Sequence, residues 1–432
     1  MYNDSRMNIK KILANTGWML FDKVFILLLN IVVTVKVANY YGKSEYGEYQ
    51  FAVSIVALFE ILVTFVDGRV VKKRYSENRP EDLVLCVTLA RLLLSFISVL
   101  GGIAYILIGD ESKVYNVLFI ILLMNAMIIN LRFGMQNRYE YLLKSRKVIL
   151  ASNIALTVGG LLQLVAISCR FPIISIAAIT AFSSLISLCI VYLQYTKEFG
   201  RLARGNYKKE IAKGIMLESI PLGIAASCSI IYSHCDSIMI GGMLTKDEVG
   251  IYSIALKLFA VVQIVKAPIV ESVFPKMIEL YSQNREKYSK RYVQVTAILT
   301  WICVLGVLFS FAVLPYFFKF FKPEYEEALP VFKIYVISAL FMYNAGLRAG
   351  HYTILSRGKV LMYSQVISVF LNLALNYYLI TNVGLYGAAV ATAITQAISL
   401  MVSNLFFGKE GREVFLWQMK GLNPYYIIKY RK

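Results

Sequence analysis

The chain has 432 residues, of which 58% are apolar and 16% charged, and its mean hydropathy is +0.62. Soluble domains average about 45–50% apolar and about 25% charged residues, so the composition argues against a soluble enzyme of one to three domains. The formal charge of +19, from 45 Lys and Arg against 26 Asp and Glu, would point to nucleic acid in a soluble protein. In a membrane protein it is instead a question of sidedness, because cytoplasmic loops collect Lys and Arg.

A bilayer-crossing helix needs about 20 mainly apolar residues. Twelve such runs are expected, near 15–38, 46–67, 83–108, 115–137, 147–169, 172–195, 214–241, 249–273, 292–318, 329–353, 359–380 and 385–407. No cleavable signal peptide is expected, since the first fourteen residues are polar and the first run is too long for one. The six cysteines fall in or beside apolar runs without metal-ligand spacing and read as small hydrophobic filler. With both termini on the cytoplasmic side, thirty Lys and Arg lie in inside segments and six in outside loops. That asymmetry accounts for most of the excess charge without nucleic acid.

The longest connection is basic and divides the chain into six spans and six spans. The expected organisation is an N-terminal six-helix bundle over 1–200, a basic cytoplasmic linker over 201–213, a C-terminal bundle over 214–408 and a basic cytoplasmic tail over 409–432. The tail and linker would face anionic lipid head groups. Tyr46-Gly47-Glu48-Tyr49 after the first span recurs as Val249-Gly250-Ile251-Tyr252 after the seventh, each behind a short Lys/Glu-containing turn. Six spans separate the copies, so they share one orientation. The repeat is parallel, a layout that in secondary transporters places the substrate between two halves.

Further residues carry a family resemblance. Asn15, Trp18, Asp22 and Lys23, then Val37-Ala38, Tyr41-Gly42 and Tyr46-Gly47-Glu48-Tyr49, resemble the opening of Wzx-type polysaccharide flippases. Asp236 with Met239 and Gly241, the second motif copy with Ala255 and Lys257, and Pro268 and Pro275 continue the likeness. Ser356-Arg357-Gly358-Lys359, Asn372, Asn376 and Gly384-Leu385-Tyr386-Gly387-Ala388-Ala389 are similar to the closing spans of that group. These flippases belong to the multidrug/oligosaccharidyl-lipid/polysaccharide exporter superfamily. The resemblance implies an all-α integral membrane protein with a MATE-like fold of two six-helix bundles in the bacterial cytoplasmic membrane. It implies movement of an undecaprenyl-diphosphate-linked oligosaccharide repeat unit, such as an O-antigen or capsule unit, between leaflets. Partners implied are membrane lipids, other surface-polysaccharide assembly proteins, and H+ or Na+ as coupling ion.

The residues themselves lead to transport by a second route. Fifteen ionisable side chains lie in or at the ends of the spans: Lys23, Lys36, Arg69, Arg91, Arg132, Lys257, Lys266, Lys333, Arg348, Asp22, Glu60, Asp67, Glu218, Asp236 and Glu271. A central charge facing lipid costs about 2.5–3.5 kcal/mol. Half of the set facing lipid would cost about 20 kcal/mol, more than the roughly 5–15 kcal/mol stability of a protein. Many must therefore face an interior. Lys23, Asn30 and Thr34 share one face of span one, and comparable stripes hold Arg91, Arg132, Arg348 and Glu218 with Asp236. The net basic set suits a diphosphate, for which Arg offers bidentate donors and Lys a point charge.

Lys23, Asn30, Arg91, Arg132, Lys257, Lys266 and Arg348 are the expected substrate-cavity residues, and Glu60, Glu218 and Asp236 the candidates for ion coupling. Lys36, Arg69, Asp67, Glu271 and Lys333 equally suit snorkelling at span ends. Asp22 beside Lys23, and Asp67 near Arg69, equally suit structural ion pairs. No catalytic residue, metal site or cofactor is expected, and no nucleotide-binding Walker pattern occurs. Two other readings stay open. A MATE-type drug or metabolite antiporter would favour an acidic cavity, and a polymerase or ligase of glycan assembly would favour a large external loop or a His and acid cluster.

Overall fold

The computed structural model describes residues 9–109, 111–202 and 205–429, with side chains from residue 26 onward. Among the described residues all regular structure is helical. Eleven helical stretches of the described residues are long and apolar enough to cross a membrane. The first runs Ile26–Arg74, 49 residues or about 74 Å at 1.5 Å per residue, over twice the ~30 Å hydrocarbon layer. It is not one crossing: within α1 (Ile9–Phe59) the backbone breaks at Gly42, φ 74 and ψ 174, a left-handed φ that a residue without Cβ adopts freely. Divided there, the stretches return to the twelve expected spans.

The eighth span differs from its expected 249–273. α8 (Lys246–Gln263) stops and α9 (Lys266–Gln283) starts two residues later. Pro268 is the cause: it cannot donate to the Ile264 carbonyl, and it sits in the first turn of α9, where a missing N–H is tolerated. α8 opens with Thr245, whose hydroxyl accepts from Glu248 N and donates to the Glu248 carboxylate, a reciprocal cap.

The chain divides into two compact units, 1–40 with 68–215, and 41–67 with 216–432. Residues 41–67 thus group with the second unit, not with the expected first half. In the first unit, which also holds the short α2 (Gly68–Arg74), α3 (Pro80–Ile108), α4 (Lys113–Tyr141), α5 (Ser145–Ser168) and α6 (Ile174–Phe199) pack through small residues. A Cβ at Gly134 would press on Thr88 and Val84, and one at Gly159 on Ser183. Such positions let helix backbones approach closely in lipid. Part of the expected linker is strapped to α3: Asn206 N donates to Asp82 Oδ1 at 2.8 Å and Lys208 Nζ lies 3.0 Å from Asp82 Oδ2.

The second unit contains α7 (Lys209–Met243) from residue 216 on, α8, α9, α10 (Arg285–Phe318), α11 (Ala328–Asn344), α12 (Arg348–Ile354), α13 (Gly358–Val383) and α14 (Leu385–Leu400). Within it the two motif copies meet. A Cβ added to Gly47 would overlap the Lys246 carbonyl, and one added to Gly250 would overlap the Lys43 carbonyl. Each glycine faces the carbonyl four residues before the other, so the crossing is itself two-fold.

The expected tail is not a free tail. α15 (Gly408–Gly421) and α16 (Tyr425–Lys429) pack on α10. Gln418 fixes them: its side chain donates to Leu400 O and accepts from Asn404 Nδ2, and its carbonyl accepts from Asn344 Nδ2.

Candidate functional site

Five helices of the second unit converge on one carboxylate. Asp236 of α7 is 5% exposed. Its Oδ2 accepts from Tyr252 OH of α8 at 2.5 Å, Tyr335 OH of α11 at 2.8 Å and Thr392 Oγ1 of α14 at 2.8 Å. Its Oδ1 accepts from Asn376 Nδ2 of α13 at 2.6 Å. The same Asn376 amide lies 3.1 Å from Asn372 Oδ1, which also accepts from the Cys235 thiol at 2.9 Å.

The depth of these groups is uniform. Asp236 and Asn376 each lie seven residues before the ends of α7 and α13; Tyr252, Tyr335 and Thr392 lie six or seven residues after the starts of α8, α11 and α14. At 1.5 Å per residue all five are about 10 Å from a helix end, the C-terminal end for α7 and α13 and the N-terminal end for α8, α11 and α14. A buried carboxylate costs heavily unless it is paired or hydrogen-bonded. Here the pairing is by neutral donors, and among the described residues no Lys, Arg or His forms an ion pair with it.

Asn376 Oδ1, on the amide that donates to Asp236, is buried without a hydrogen-bond partner, as is Thr395 Oγ1 one turn beyond Thr392. The donor set is a carboxylate, amide oxygens and hydroxyls, which suits a hard monovalent cation or a proton and not a soft transition metal. No group of three His, Cys, Asp or Glu forms among the described residues.

Two arginines of the first unit stand at separate helix contacts. Arg91 on α3 donates from Nη1 to Asn130 Oδ1 at 2.9 Å, with its guanidinium carbon 3.1 Å from the centre of the Phe133 ring. Arg132 on α4 donates to Ser152 Oγ on α5 at 2.9 Å and to Ser187 Oγ on α6. Both side chains are half-buried. Both are guanidinium groups set within apolar helices, which adds positive charge to the interior of the first unit.

The remaining expected residues separate. Arg348 is 5% exposed and directed into the protein: Nε donates to Asn404 Oδ1 at 2.8 Å and Nη2 to Ser364 Oγ at 3.0 Å and Ser403 Oγ at 3.3 Å. Lys257 is exposed, its ammonium 5.4 Å from the Tyr46 ring. Lys266 is half-buried at the start of α9, and Asn30 is exposed on α1. Glu60 is half-buried at the start of a 3-10 turn, and Glu218 is exposed. The side chain of Lys23 lies outside the described residues. Of the three acids proposed for coupling, only Asp236 is buried.

Tyr252, Tyr335, Asn372, Asn376 and Thr392 were not singled out as site residues. Asn372 and Asn376, four apart, share one face of α13, and so do Thr392 and Thr395 on α14. Such polar pairs inside apolar runs are the signal that points to them.

The model of the polysaccharide biosynthesis protein family matches residues 12–281, and the MatE model matches residues 221–378. A "probable low-salt glycan biosynthesis flippase" of Haloferax volcanii is 27% identical over 40% of this chain. An uncharacterized membrane protein of Methanocaldococcus jannaschii is 27% identical over 44% of it. The chain spans only 37% and 45% of the length of these two relatives. Among solved structures, an inward-facing multidrug resistance MATE family transporter of the MOP superfamily superposes with TM-score 0.73 at 14% identity, covering 91% of this chain and 96% of that one. The lipid II flippase MurJ, in an inward closed conformation, gives 0.68 at 13% identity over 93% and 90%. With a family match over more than half its length and a MATE-like helical fold, this chain is a multi-pass membrane protein that belongs to the polysaccharide biosynthesis protein family.

Proposed function

We propose that the protein is a flippase that moves undecaprenyl-diphosphate-linked oligosaccharide repeat units across the bacterial cytoplasmic membrane by alternating access, with both termini cytoplasmic. The two compact units, 1–40 with 68–215 and 41–67 with 216–432, act as the alternating halves. The observation that supports the reading is that two half-buried guanidinium groups, Arg91 and Arg132, lie within apolar helices of the first unit. Guanidinium groups bind phosphate bidentately. A cavity for cationic drugs would present the opposite sign. The polyprenyl chain stays in lipid and only the polar head crosses.

Asp236 is the coupling residue in this proposal. A carboxylate surrounded by hydroxyl and amide donors, with the Asn376 amide oxygen uncommitted, can exchange a bound Na+ or a proton while its hydroxyl partners reorient. Deleting the gene is expected to stop surface glycan from lengthening and to make lipid-linked repeat units accumulate inside. Full-length glycan with no accumulation would overturn the flippase reading. Asp236→Asn is expected to restore membrane abundance without restoring glycan.

A further inference from the structure

The C-terminal segment has an outward face that the flippase reading does not use. Its inward face is Gly411, Val414, Gln418 and Gly421, all buried. On the opposite side of the same helix stand Lys409, Arg412, Leu416, Met419 and Lys420, all exposed. Leu422, Tyr425 and Ile428 continue this exposure through the turn and α16, with Leu416 55% and Ile428 72% exposed.

The position of the segment along α10 sets its depth. α10 begins with a polar stretch, Arg285 to Arg291, and becomes apolar from about residue 292. Trp417 lies 4.8 Å from the Tyr292 ring, and a Cβ on Gly421 would press on Thr296. Trp301 Nε1 donates to Leu422 O at 3.1 Å, and Gln294 Nε2 to Ile427 O at 3.0 Å. The contacts thus cover residues 292–301, the first ~15 Å of the apolar run. That is the level of head groups and upper acyl chains.

The two side-chain donors support the same depth. The last carbonyls of a helix lack intrahelical partners, and water normally satisfies them. At the edge of the hydrocarbon region water is scarce and the protein must supply donors itself. Trp301 and Gln294 do so at the two points where α15 and α16 end.

We propose that residues 408–429 form an amphipathic element seated in the cytoplasmic leaflet, with anionic phospholipid head groups as its ligand. Leu416, Met419, Leu422, Tyr425 and Ile428 enter the acyl boundary, while Lys409, Arg412, Lys420 and Lys429 extend to phosphates. Of the two acids in α15, Glu410 is committed to Arg357 at 3.1 Å, so the outward surface is net positive.

The test uses full-length protein in nanodiscs of phosphatidylcholine, with or without phosphatidylglycerol, and follows chymotrypsin cleavage at Phe415, Leu416 and Tyr425. Phosphatidylglycerol is expected to slow cleavage, by about fivefold for each cation engaged, from about 1 kcal/mol per charge near an anionic surface. The variant K409Q/R412Q/K420Q/K429Q, altered only at exposed positions, is expected to lose that protection and keep its melting temperature in detergent. Salt at about 1 M, where the Debye length is about 3 Å, is expected to abolish the difference in the unaltered protein. Equal cleavage in the two lipids, or undiminished protection of the variant, would overturn the assignment. So would equal protection by inorganic phosphate in phosphatidylcholine discs, which would mark a simple anion site.

Discussion

Gly47 and Gly250 are in backbone contact: a Cβ on Gly250 would stand 3.2 Å from the Gly47 Cα and would overlap the Lys43 carbonyl. The two glycines hold the same place in the two copies of the motif, and Tyr252, two residues beyond Gly250, donates to Asp236. One repeat element therefore both sets a helix crossing and contributes to the buried carboxylate. A methyl group on either glycine must push backbone against backbone. Gly47→Ala and Gly250→Ala are each expected to destabilise by about 1–3 kcal/mol, read as a lower melting temperature in detergent. Gly242→Ala, with open space around it, is expected to be neutral.

Around Asp236, each hydroxyl is a charge-assisted donor worth about 1.5–3 kcal/mol. Tyr335→Phe and Tyr252→Phe are expected to lower stability by that order while leaving the neighbouring helices in place. Asp236→Asn leaves an amide among donors and is expected to remove any dependence of transport on the Na+ or proton gradient. Transport that keeps its full gradient dependence in this variant would assign coupling elsewhere.

The arginines are expected to divide into two classes. Arg91→Ala and Arg132→Ala are expected to abolish complementation of a glycan-deficient strain with membrane abundance preserved. Full activity in both would refute the cationic-interior proposal. Arg348→Ala is expected to reduce abundance itself, because it removes a guanidinium that joins Asn404, Ser364 and Ser403. Arg348→Lys is expected not to rescue it, since one ammonium cannot reproduce a fork of donors aimed at three acceptors. Quantitative immunoblotting beside a glycan assay separates the two classes.

Gln418 links α15 to the helices beneath it through both its side chain and its carbonyl. Gln418→Leu removes the bonds to Asn404 Nδ2 and the Leu400 carbonyl, which keep their bond to each other, so the cost is about 0.5–1.5 kcal/mol for each hydrogen bond lost. Faster proteolysis after residue 408, together with a lower melting temperature, is the expected result.

What could be read without coordinates was whatever depends on neighbours along the chain. Hydropathy over about 20 residues marks a span wherever that span packs, so the twelve apolar runs, the MATE-like helical class and the repeated glycine motif were legible in the residues alone. The breaks at Gly42 and before Pro268 also have local causes, although their effect on where each helix ends appeared only in the backbone. The environment of each charge is a different matter. Asp236, Glu60 and Glu218 look alike as acids in apolar runs, yet only the first is enclosed, because four other helices bring hydroxyls and an amide to its level. Arg348 and Arg132 likewise share a residue type and an apolar setting, and tertiary packing turns one into a network that ties the tail region together and leaves the other on two serines. The basic C-terminal stretch reads from its composition as a cytoplasmic tail facing lipid head groups; its packing on α10 is decided by tertiary contacts. Helical periodicity records that a face exists, while the partner of that face is set by residues distant in the chain.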